Sequence, residues 1–304
     1  MTIDVTKIFD LSGKRIAITG GGGELCGTIA EGLGRLGVKI ALLDIDLPAA
    51  ERRMKVITSG GGTALALRCD VLDEAEVARC YQEICREWGG VDLLLNGAGG
   101  NNPQGSAEVD FLEPEGEEAD GVHPGRPGSG GSSSGSTHPG GAKSFFDIPL
   151  EGFRRTFDLN FLGTVVPSRV LTTGMVERRS GSIVNISSMS AFTPLTKVGA
   201  YSAAKAAVAN FTKWLAVHFS HVGVRVNALA PGFFMTEQLR FLHIDPATGE
   251  YTERAKKVVA ATPMGRYGEP EELIGTVIWL LSEGSRFVTG NVVPIDGGFS
   301  SYAI

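Results

Sequence analysis

Tyr201 and Lys205 stand four residues apart in the segment Tyr-Ser-Ala-Ala-Lys, and Ser188 lies thirteen residues before Tyr201. Positions four apart share one face of a helix, so the phenol and the ammonium can enter the same cleft. A phenol with a pKa of about 10 is a poor base at neutral pH, and a nearby cation favours its ionised form. Tyr201 is therefore the predicted proton-transfer residue, with Ser188 placed to hydrogen-bond the substrate oxygen. This chemistry reduces a carbonyl or oxidises an alcohol, although the pair alone fits an ordinary half-exposed helix equally well.

Short apolar segments alternate with helical patterns along most of the chain. Strands are predicted at residues 15–19, 39–43, 64–67, 91–95, 181–186, 224–229 and 292–295. Helices are predicted at 25–36, around 52–56, and at 74–88, 153–176, 202–219 and 271–281. Such alternation predicts a parallel sheet covered on both faces. The expected fold is α/β, a doubly wound parallel sheet of the Rossmann type, in a single domain over residues 1–304.

Residues 104–143 break this alternation. They combine acidic residues with a run of Gly, Ser and Pro at 127–135. A segment of this composition cannot bury enough apolar surface to order itself. We therefore predict a flexible loop insertion beside the cofactor cleft, with both ends anchored. A lid that closes over the substrate is the alternative.

The overall composition favours small-molecule chemistry. The net charge of −6 and the 42% hydrophobic content provide no basic surface for nucleic acid or anionic lipid. The four cysteines have neither Cys-x-x-Cys spacing nor a histidine cluster, so no metal site is expected. Residues 1–11 carry three charges, unlike a signal peptide, and no apolar run is long enough to span a bilayer. A cytoplasmic protein is expected.

A glycine-rich turn follows the first predicted strand. Gly20, Gly22 and Gly23, with Leu25 opening the next helix, would let backbone amides approach a pyrophosphate at the positive end of that helix. Asp44 ends the second strand, where its carboxylate can accept hydrogen bonds from both adenosine ribose hydroxyls and would repel a 2′-phosphate. NAD is therefore the predicted cofactor, and an N-cap is the alternative role for Asp44.

The third and fourth strands end in further cofactor candidates. Asp70 and Val71 could contact the adenine, through a carboxylate and a backbone group respectively, or Asp70 could merely initiate a helix. Asn96, Ala98 and Gly99 follow the fourth strand in the sequence Asn-Gly-Ala-Gly. Small residues there let the chain pass close to a flat ring and ribose. A tight turn would require the same composition.

The segment after the sixth strand supplies the last cofactor candidates. Pro231 and Gly232 begin it, Phe234 follows, and the hydroxyl of Thr236 could hold the nicotinamide carboxamide. An ordinary turn is the alternative for this segment. Together with the glycine turn and Asp44, these residues predict an extended binding site along the carboxyl ends of the strands.

The order of these motifs resembles the short-chain dehydrogenase/reductase family over essentially the whole chain except the insertion. The resemblance implies that Tyr201 and Lys205 also bind the cofactor, and that Asn160 supports a water molecule linking Lys205 to solvent. The family usually has glycine where this chain has Glu24 and Cys26, which puts the pyrophosphate geometry in question. The matching motifs are Thr19-Gly20 with its glycine run, Asn96-Gly-Ala-Gly, Asn160 in Asn-Phe-Leu-Gly-Thr, Ser188, Tyr201-x-x-x-Lys205, Pro231-Gly232 and Asp296-Gly-Gly.

Four other stretches, 191–197, 210–219, 231–238 and 262–266, resemble the D-mannonate oxidoreductase (fructuronate reductase) branch of this family. That resemblance implies an NAD-linked interconversion of a sugar-acid alcohol and its ketone. Another 3-oxoacyl, polyol or ketone reductase, or a catalytically silent dinucleotide-binding regulator, are the alternatives. The predicted substrate-binding residues, besides Ser188 and Tyr201, are Asn101, Asn102, Ser190 and Lys197, with Arg240 or His243 as further candidates.

The predicted helix 203–219 is apolar around most of its circumference. One compact sheet covers only one face of such a helix, so the rest must be buried elsewhere. Together with the family resemblance, this pattern predicts a homo-oligomer, a dimer or a tetramer with two-fold symmetry. A helix buried entirely in the core is the alternative.

Overall fold

The computed structural model describes residues 4–112, 141–246 and 248–302. Seven strands form one sheet: β1 (Arg15–Thr19), β2 (Lys39–Asp44), β3 (Thr63–Arg68), β4 (Leu93–Asn96), β5 (Gly181–Ile186), β6 (Val224–Pro231) and β7 (Val292–Ile295). Their order is β3-β2-β1-β4-β5-β6-β7, and every neighbouring pair is parallel. This arrangement confirms the predicted doubly wound fold.

The helices among the described residues connect these strands. They are α1 (Val5–Ile8), α2 (Glu24–Gly34), α3 (Leu47–Ser59), α4 (Glu74–Trp88), α5 (Leu150–Leu171), α6 (Thr173–Arg178), α7 (Gly199–Phe219), α8 (Glu237–His243), α9 (Glu253–Ala261) and α10 (Ile274–Leu281). None of the helices in the described ranges is long and apolar enough to cross a membrane. The pattern at 153–176 predicted one helix, whereas the chain breaks at Thr172, whose hydroxyl donates to the Ser168 carbonyl at 2.6 Å. Such back-bonding by Ser and Thr side chains competes with the helical hydrogen bonds.

The helices cover the sheet in two layers, each with its own apolar core. Helices α2, α3 and α10 pack on one face around Ile29, Leu33 and Val277. Helices α4, α5 and α7 pack on the other face around Ile84, Leu171 and Leu215. Successive strand residues alternate between the two cores, as Ile16 and Ala17 do in β1. Burial on both faces explains why the strands read as continuous apolar segments.

The strand order reverses between β1 and β4. From β1 the chain moves outward to β2 and β3, then returns to β4 and continues on the other side. At such a switch point the loops at the carboxyl ends diverge and leave a crevice, which is where this fold binds ligands. The turns after β1, β4, β5 and β6 therefore meet at one edge of the sheet.

The predicted insertion 104–143 lies largely outside the described residues, which omit 113–140. Its described ends make specific hydrogen bonds, so the predicted flexibility does not extend to them. The Ala107 amide donates to the Lys197 carbonyl at 2.8 Å, and the Glu108 amide donates to the Lys143 carbonyl at 2.7 Å. Both ends of the insertion are thus anchored, and one is attached to the segment that leads into α7.

Candidate active site

Tyr201 and Lys205 lie on the same face of α7, with the Lys205 Nζ 5.6 Å from the centroid of the Tyr201 ring. Ser188 follows β5 by two residues, and its hydroxyl lies near enough to the Tyr201 phenol to influence the pKa of that group. The Lys205 ammonium donates to the Ile186 carbonyl at 2.9 Å. The structure therefore brings the three predicted catalytic side chains together at the carboxyl end of β5.

Burial determines the charge state of both titratable groups in this cluster. Burial raises the pKa of Tyr201, and the hydrogen bond from Ser188 partly opposes this shift. Burial also lowers the pKa of Lys205 to about 8, while the nearby Cys26 thiol acts in the opposite direction. In the cofactor-free chain the phenol is consequently neutral at physiological pH and able to donate a proton.

Asn160, on α5, supports the chain segment that follows β4. Its Oδ1 accepts the Gly100 amide at 3.1 Å, and its Nδ2 donates to the Gly100 carbonyl at 2.8 Å and to the Thr156 carbonyl at 2.7 Å. A Cβ at Gly99 would lie 2.6 Å from the Asn160 Oδ1 and 3.2 Å from the Lys205 Nζ. Only glycine leaves this space open, so Gly99 allows Asn160 and Lys205 to approach each other across the backbone.

The glycine turn is hydrogen-bonded to the turn after β4 by Thr19, which was quoted above as part of a family motif but was assigned no contact from the sequence. The Thr19 hydroxyl accepts the amides of Gly97 and Ala98 at 3.0 and 3.2 Å. Gly20 has a φ of +67°, and a Cβ there would lie 2.9 Å from the Ala98 Cα. The first amides of α2 behind this turn have no intrahelical partners and provide a positive helix end. The glycine turn and the start of α2 therefore fit the pyrophosphate of a dinucleotide. In the sequence, the only signal for the contact with the turn after β4 was Thr19 at the end of β1.

The two departures from the family pattern both have defined contacts. The Glu24 Oε2 accepts the backbone amide of Glu237 at 2.7 Å, so this carboxylate has a hydrogen-bond partner in the segment after β6. Cys26 is buried, and its Sγ fills the space beside Gly97. Burial raises the pKa of this thiol to about 12, so it is protonated. Neither side chain had been assigned a function from the sequence.

Asp44 is the last residue of β2. The Asp44 carboxylate accepts the Gly22 amide at 2.9 Å and the Asp46 amide at 2.9 Å. It is not the N-cap of α3, because Asp46 caps that helix through the Ala49 amide. Asp44 therefore lies between the glycine turn and the end of β2, as the ribose assignment requires.

Asp70 forms a local turn in which its Oδ1 accepts the Leu72 amide at 2.9 Å. Asp73, not Asp70, caps α4. Val71 is buried against Gly163 of α5, where a Cβ at residue 163 would lie 3.0 Å from the valine side chain. The Asp70 amide itself donates to the Glu76 Oε2 at 2.8 Å. An adenine contact by this pair stays a prediction.

Asn96 has its side chain in the protein interior. Its Nδ2 donates to the Ser168 hydroxyl and to the Asn185 Oδ1, both at 2.9 Å, and Asn185 in turn donates to the Thr212 hydroxyl. This buried network ties β4 and β5 to α5 and α7. A cofactor contact by Asn96 would therefore involve its backbone.

The segment after β6 leads into two helices that were not predicted. Gly232 packs against Asp296, Phe234 is buried in the core, and the Thr236 hydroxyl accepts the Leu239 amide at 3.3 Å as the N-cap of α8. Thr252 caps α9 in the same way. Both threonines precede an acidic residue, which is the helix-start signal that the sequence offered. Pro231 closes β6 and is buried.

The predicted substrate residues are in unequal positions. Asn101 and Ser106 hydrogen-bond each other at 3.0 and 3.1 Å, and the Asn102 side chain caps a short turn by accepting the Gln104 amide at 2.9 Å. The Lys197 ammonium lies 3.8 Å from the Asp110 carboxylate, with both side chains partly exposed. Ser190 is buried, and its hydroxyl has no partner among the described residues.

Two further candidates lie on the helix after Thr236. Arg240 is exposed to solvent. His243 is instead buried inside the small apolar cluster formed with α9, where its Nδ1 is 2.8 Å from the Tyr267 hydroxyl. The expectation that His243 faces the cleft was therefore wrong, because the apolar residues around it form a separate core.

Comparison with known proteins agrees with this geometry. Residues 14–115 match the family profile described as short chain dehydrogenase, and residues 132–300 match the profile described as enoyl-(acyl carrier protein) reductase. The chain belongs to the short-chain dehydrogenase/reductase family. A member from Bacillus subtilis, the uncharacterized oxidoreductase UxuB, is 44% identical over 295 residues, which are 97% of each chain.

Solved structures of the family superpose on this short-chain dehydrogenase/reductase. A Haemophilus influenza protein, provisionally named a D-mannonate oxidoreductase and solved with bound NAD, is 41% identical with 99% of each chain covered and a TM-score of 0.85. A gluconate 5-dehydrogenase from Burkholderia cenocepacia, solved with NADP and tartrate, is 27% identical with a TM-score of 0.77, covering 99% of this chain and all of that one. The chain is thus a dinucleotide-dependent oxidoreductase.

Proposed function

We propose that this enzyme interconverts a sugar-acid alcohol and its ketone, most specifically D-mannonate and D-fructuronate, with NAD as cofactor. The observation that carries the proposal is the cluster formed by the neutral Tyr201 phenol, the nearby Ser188 hydroxyl and the Lys205 ammonium one helical turn away. A sensor without turnover would have no need for this cluster. Family membership establishes the reaction class, and the proposal adds the identity of the substrate.

Ser188, Tyr201 and Lys205 each have a separate role in carbonyl reduction. Bound NADH would supply the hydride to the carbonyl carbon. Ser188 holds the substrate oxygen, and Tyr201 transfers its phenolic proton to that oxygen as negative charge develops. The Lys205 ammonium stabilises the resulting phenolate by its positive charge. In alcohol oxidation the same proton returns to the Tyr201 oxygen.

The proton that leaves Tyr201 must be replaced. Lys205 is buried beside Asn160, whose side chain lies just across Gly99. Asn160 would support a water molecule that connects the Lys205 ammonium to solvent. The close approach of these two polar groups inside a buried site supports this role.

Two features support an acidic sugar as substrate. Lys197 lies four residues before Tyr201, and its ammonium is only loosely paired with Asp110 at 3.8 Å. A substrate carboxylate can therefore compete for it, since an exposed ion pair of this kind contributes little free energy. Both solved relatives described above carry the name of a sugar acid. Asn101, Asn102 and Ser190 would contact the substrate hydroxyls.

Asp44 supports NAD over NADP. Its carboxylate accepts the Gly22 amide and so stands beside the glycine turn, where a 2′-phosphate would meet a like charge. The other proposed cofactor contacts lie at or after the carboxyl ends of β1, β3, β4 and β6, together with Tyr201 and Lys205 of α7. They are Gly20, Gly22, Gly23, Leu25, Asp70, Val71, Asn96, Ala98, Gly99, Pro231, Gly232, Phe234 and Thr236.

The test is a side-by-side assay of NADH oxidation. We expect turnover with fructuronate, little with an acetoacetyl thioester, and none without substrate. Tyr201→Phe serves as the matched control, because it removes one hydroxyl and keeps the ring. Turnover of the thioester in preference to fructuronate would replace the sugar acid with a 3-oxoacyl substrate.

A further inference from the structure

Glu24 connects two segments that are far apart in the sequence, the glycine turn after β1 and the segment after β6, both of which contain proposed cofactor contacts. It is the first residue of α2, directly after the glycine turn. Its Oε2 accepts the backbone amide of Glu237 at 2.7 Å, across 213 residues of sequence. Glu237 is the first residue of α8, directly after Thr236. A carboxylate at the first turn of a helix is a favourable, charge-assisted contact.

The sheet order shows what this hydrogen bond spans. Glu24 follows β1, whereas Glu237 follows β6, and strands β4 and β5 lie between them in the sheet. The turn after β4 holds Ala98 and Gly99, and the loop after β5 holds Ser188. The bond therefore crosses one side of the crevice in which those residues meet.

Free space lies on the outer side of this bond. A cleft of about 470 Å³ is lined there by Gly22, Glu24, Ala49, Arg52, Arg53, Val56 and Glu237. The Glu24 side chain is only partly buried, so it can turn into this cleft without displacing core residues. The segment from β6 to α8 can then separate from the glycine turn.

We propose that Glu24 is a latch that holds α8 against the glycine turn and slows the exchange of the dinucleotide. This inference rests on binding of the dinucleotide at the glycine turn, as proposed above. Opening the latch breaks one hydrogen bond at the mouth of the crevice. Glu24 acts as a positioning residue here, since it controls where α8 lies rather than taking part in the reaction.

The Glu24 carboxylate also acts on the dinucleotide electrostatically. The experiment must distinguish this effect from that of the hydrogen bond to Glu237. The negative charge of Glu24 would repel the pyrophosphate, and removing it would then tighten binding. The latch predicts the reverse, because loss of the hydrogen bond frees α8 and speeds release. The two effects have opposite signs in the dissociation rate of NADH.

The chain offers variants that remove the bond from either side. Glu24→Ala removes the acceptor, and Glu24→Gln removes the charge but keeps an acceptor oxygen. Glu237→Pro removes the donor amide at the first position of a helix, where proline is tolerated. Thr236 already has the extended conformation, φ −98° and ψ 160°, that a residue before proline prefers. Glu237→Gln is the matched control, because it changes a charge at the same place but keeps the amide.

The measurement is the NADH dissociation rate by stopped-flow displacement of bound NADH with excess NAD, on the full chain. Glu24→Ala and Glu237→Pro should each raise this rate by about 3- to 10-fold, the range for one hydrogen bond. The double variant should be no faster than either single variant, because both remove the same bond. Glu237→Gln should match the wild type, and Glu24→Gln should lie between the wild type and Glu24→Ala.

Three results would overturn the latch. Glu24→Ala could release NADH at the wild-type rate or more slowly, or the effects of Glu24→Ala and Glu237→Pro could multiply in the double variant. A wild-type chain that bound no NADH would refute the cofactor assignment itself, and the latch with it. Normal NADH binding with an unchanged release rate refutes only the latch, so the two failures are distinguishable.

Discussion

The Sγ of Cys26 lies directly beside the Cα of Gly97, in the space that a side chain at position 97 would occupy. Cys26 lies in the first turn of α2, behind the glycine turn, and Gly97 directly follows β4. The Thr19 hydroxyl also accepts the amides of Gly97 and Ala98, so the two turns proposed to bind the cofactor are packed tightly against each other. Cys26 stands where the family usually has glycine, and its side chain fits because residue 97 is a glycine.

Gly97→Ala should therefore weaken cofactor binding through overpacking, at a cost of about 1–3 kcal/mol in stability. Adding Cys26→Ala should recover part of this loss, because it removes the Sγ but leaves the Thr19 carbonyl oxygen 3.0 Å and the Cys26 Cβ 3.6 Å from the new methyl group. The melting temperature and the NADH dissociation constant of the single and double variants test the pairing. Equal defects in Gly97→Ala and the double variant would show that Cys26 is not the obstacle.

Tyr201→Phe should lower turnover by on the order of 10²-fold or more while NADH binding changes little, the usual effect of removing a positioned acid–base group. The hydroxyl is lost but the ring that packs beside Lys205 is kept. Turnover and NADH affinity are measured on the same preparation. Retained turnover would remove Tyr201 from the chemistry.

Lys205→Met should stabilise the cofactor-free protein at pH 7 by on the order of 1–2 kcal/mol, because the ammonium is buried at a cost. Its pKa is about 8 in the folded chain, below its ordinary value. The unfolded chain therefore binds more protons above about pH 8, and wild-type stability rises with pH there. Urea unfolding at pH 7 and at pH 9.5 checks the sign, and the advantage of the variant should shrink at the higher pH.

Asp44→Ala should shift the ratio of kcat/KM between NADH and NADPH by about 10- to 100-fold towards NADPH, which is the range for losing a charged hydrogen bond. The variant removes both the ribose contacts and the repulsion of a 2′-phosphate. Asp46→Ala is the control, because Asp46 caps α3 through the Ala49 amide and should affect stability alone. A wild-type preference for NADPH would contradict the assignment.

The outer face of α5 and α7 should bury itself against a second copy of the chain. Phe161 of α5 and Phe211 of α7 meet with ring centroids 6.0 Å apart, and Trp214 and Val217 beside them are 57% and 75% exposed. Light scattering at micromolar concentration should give a dimer or larger species, and Trp214→Glu should shift it towards monomer. Phe287→Glu, on an exposed residue elsewhere, should not. A wild-type mass of one chain at every concentration would exclude the oligomer.

The sequence by itself determined the doubly wound sheet and predicted that Tyr201 and Lys205 lie together. Apolar strands and helical periods are local patterns, and burial on both faces of a parallel sheet makes them nearly continuous. Strands β1, β5 and β7 have the predicted bounds, Arg15–Thr19, Gly181–Ile186 and Val292–Ile295. Tyr201 and Lys205 could be paired in advance because a helix places residues four apart on one face.

Only the tertiary structure decided how the distant segments meet. The contact between Glu24 and Glu237, the packing of Cys26 on Gly97 and the burial of His243 against Tyr267 each join residues from different elements. Helix α9 is short, and its apolar residues Ala255, Val258 and Val259 belong to a separate cluster instead of packing on the main core. Such contacts depend on the shape of the packed chain, which no local periodicity records.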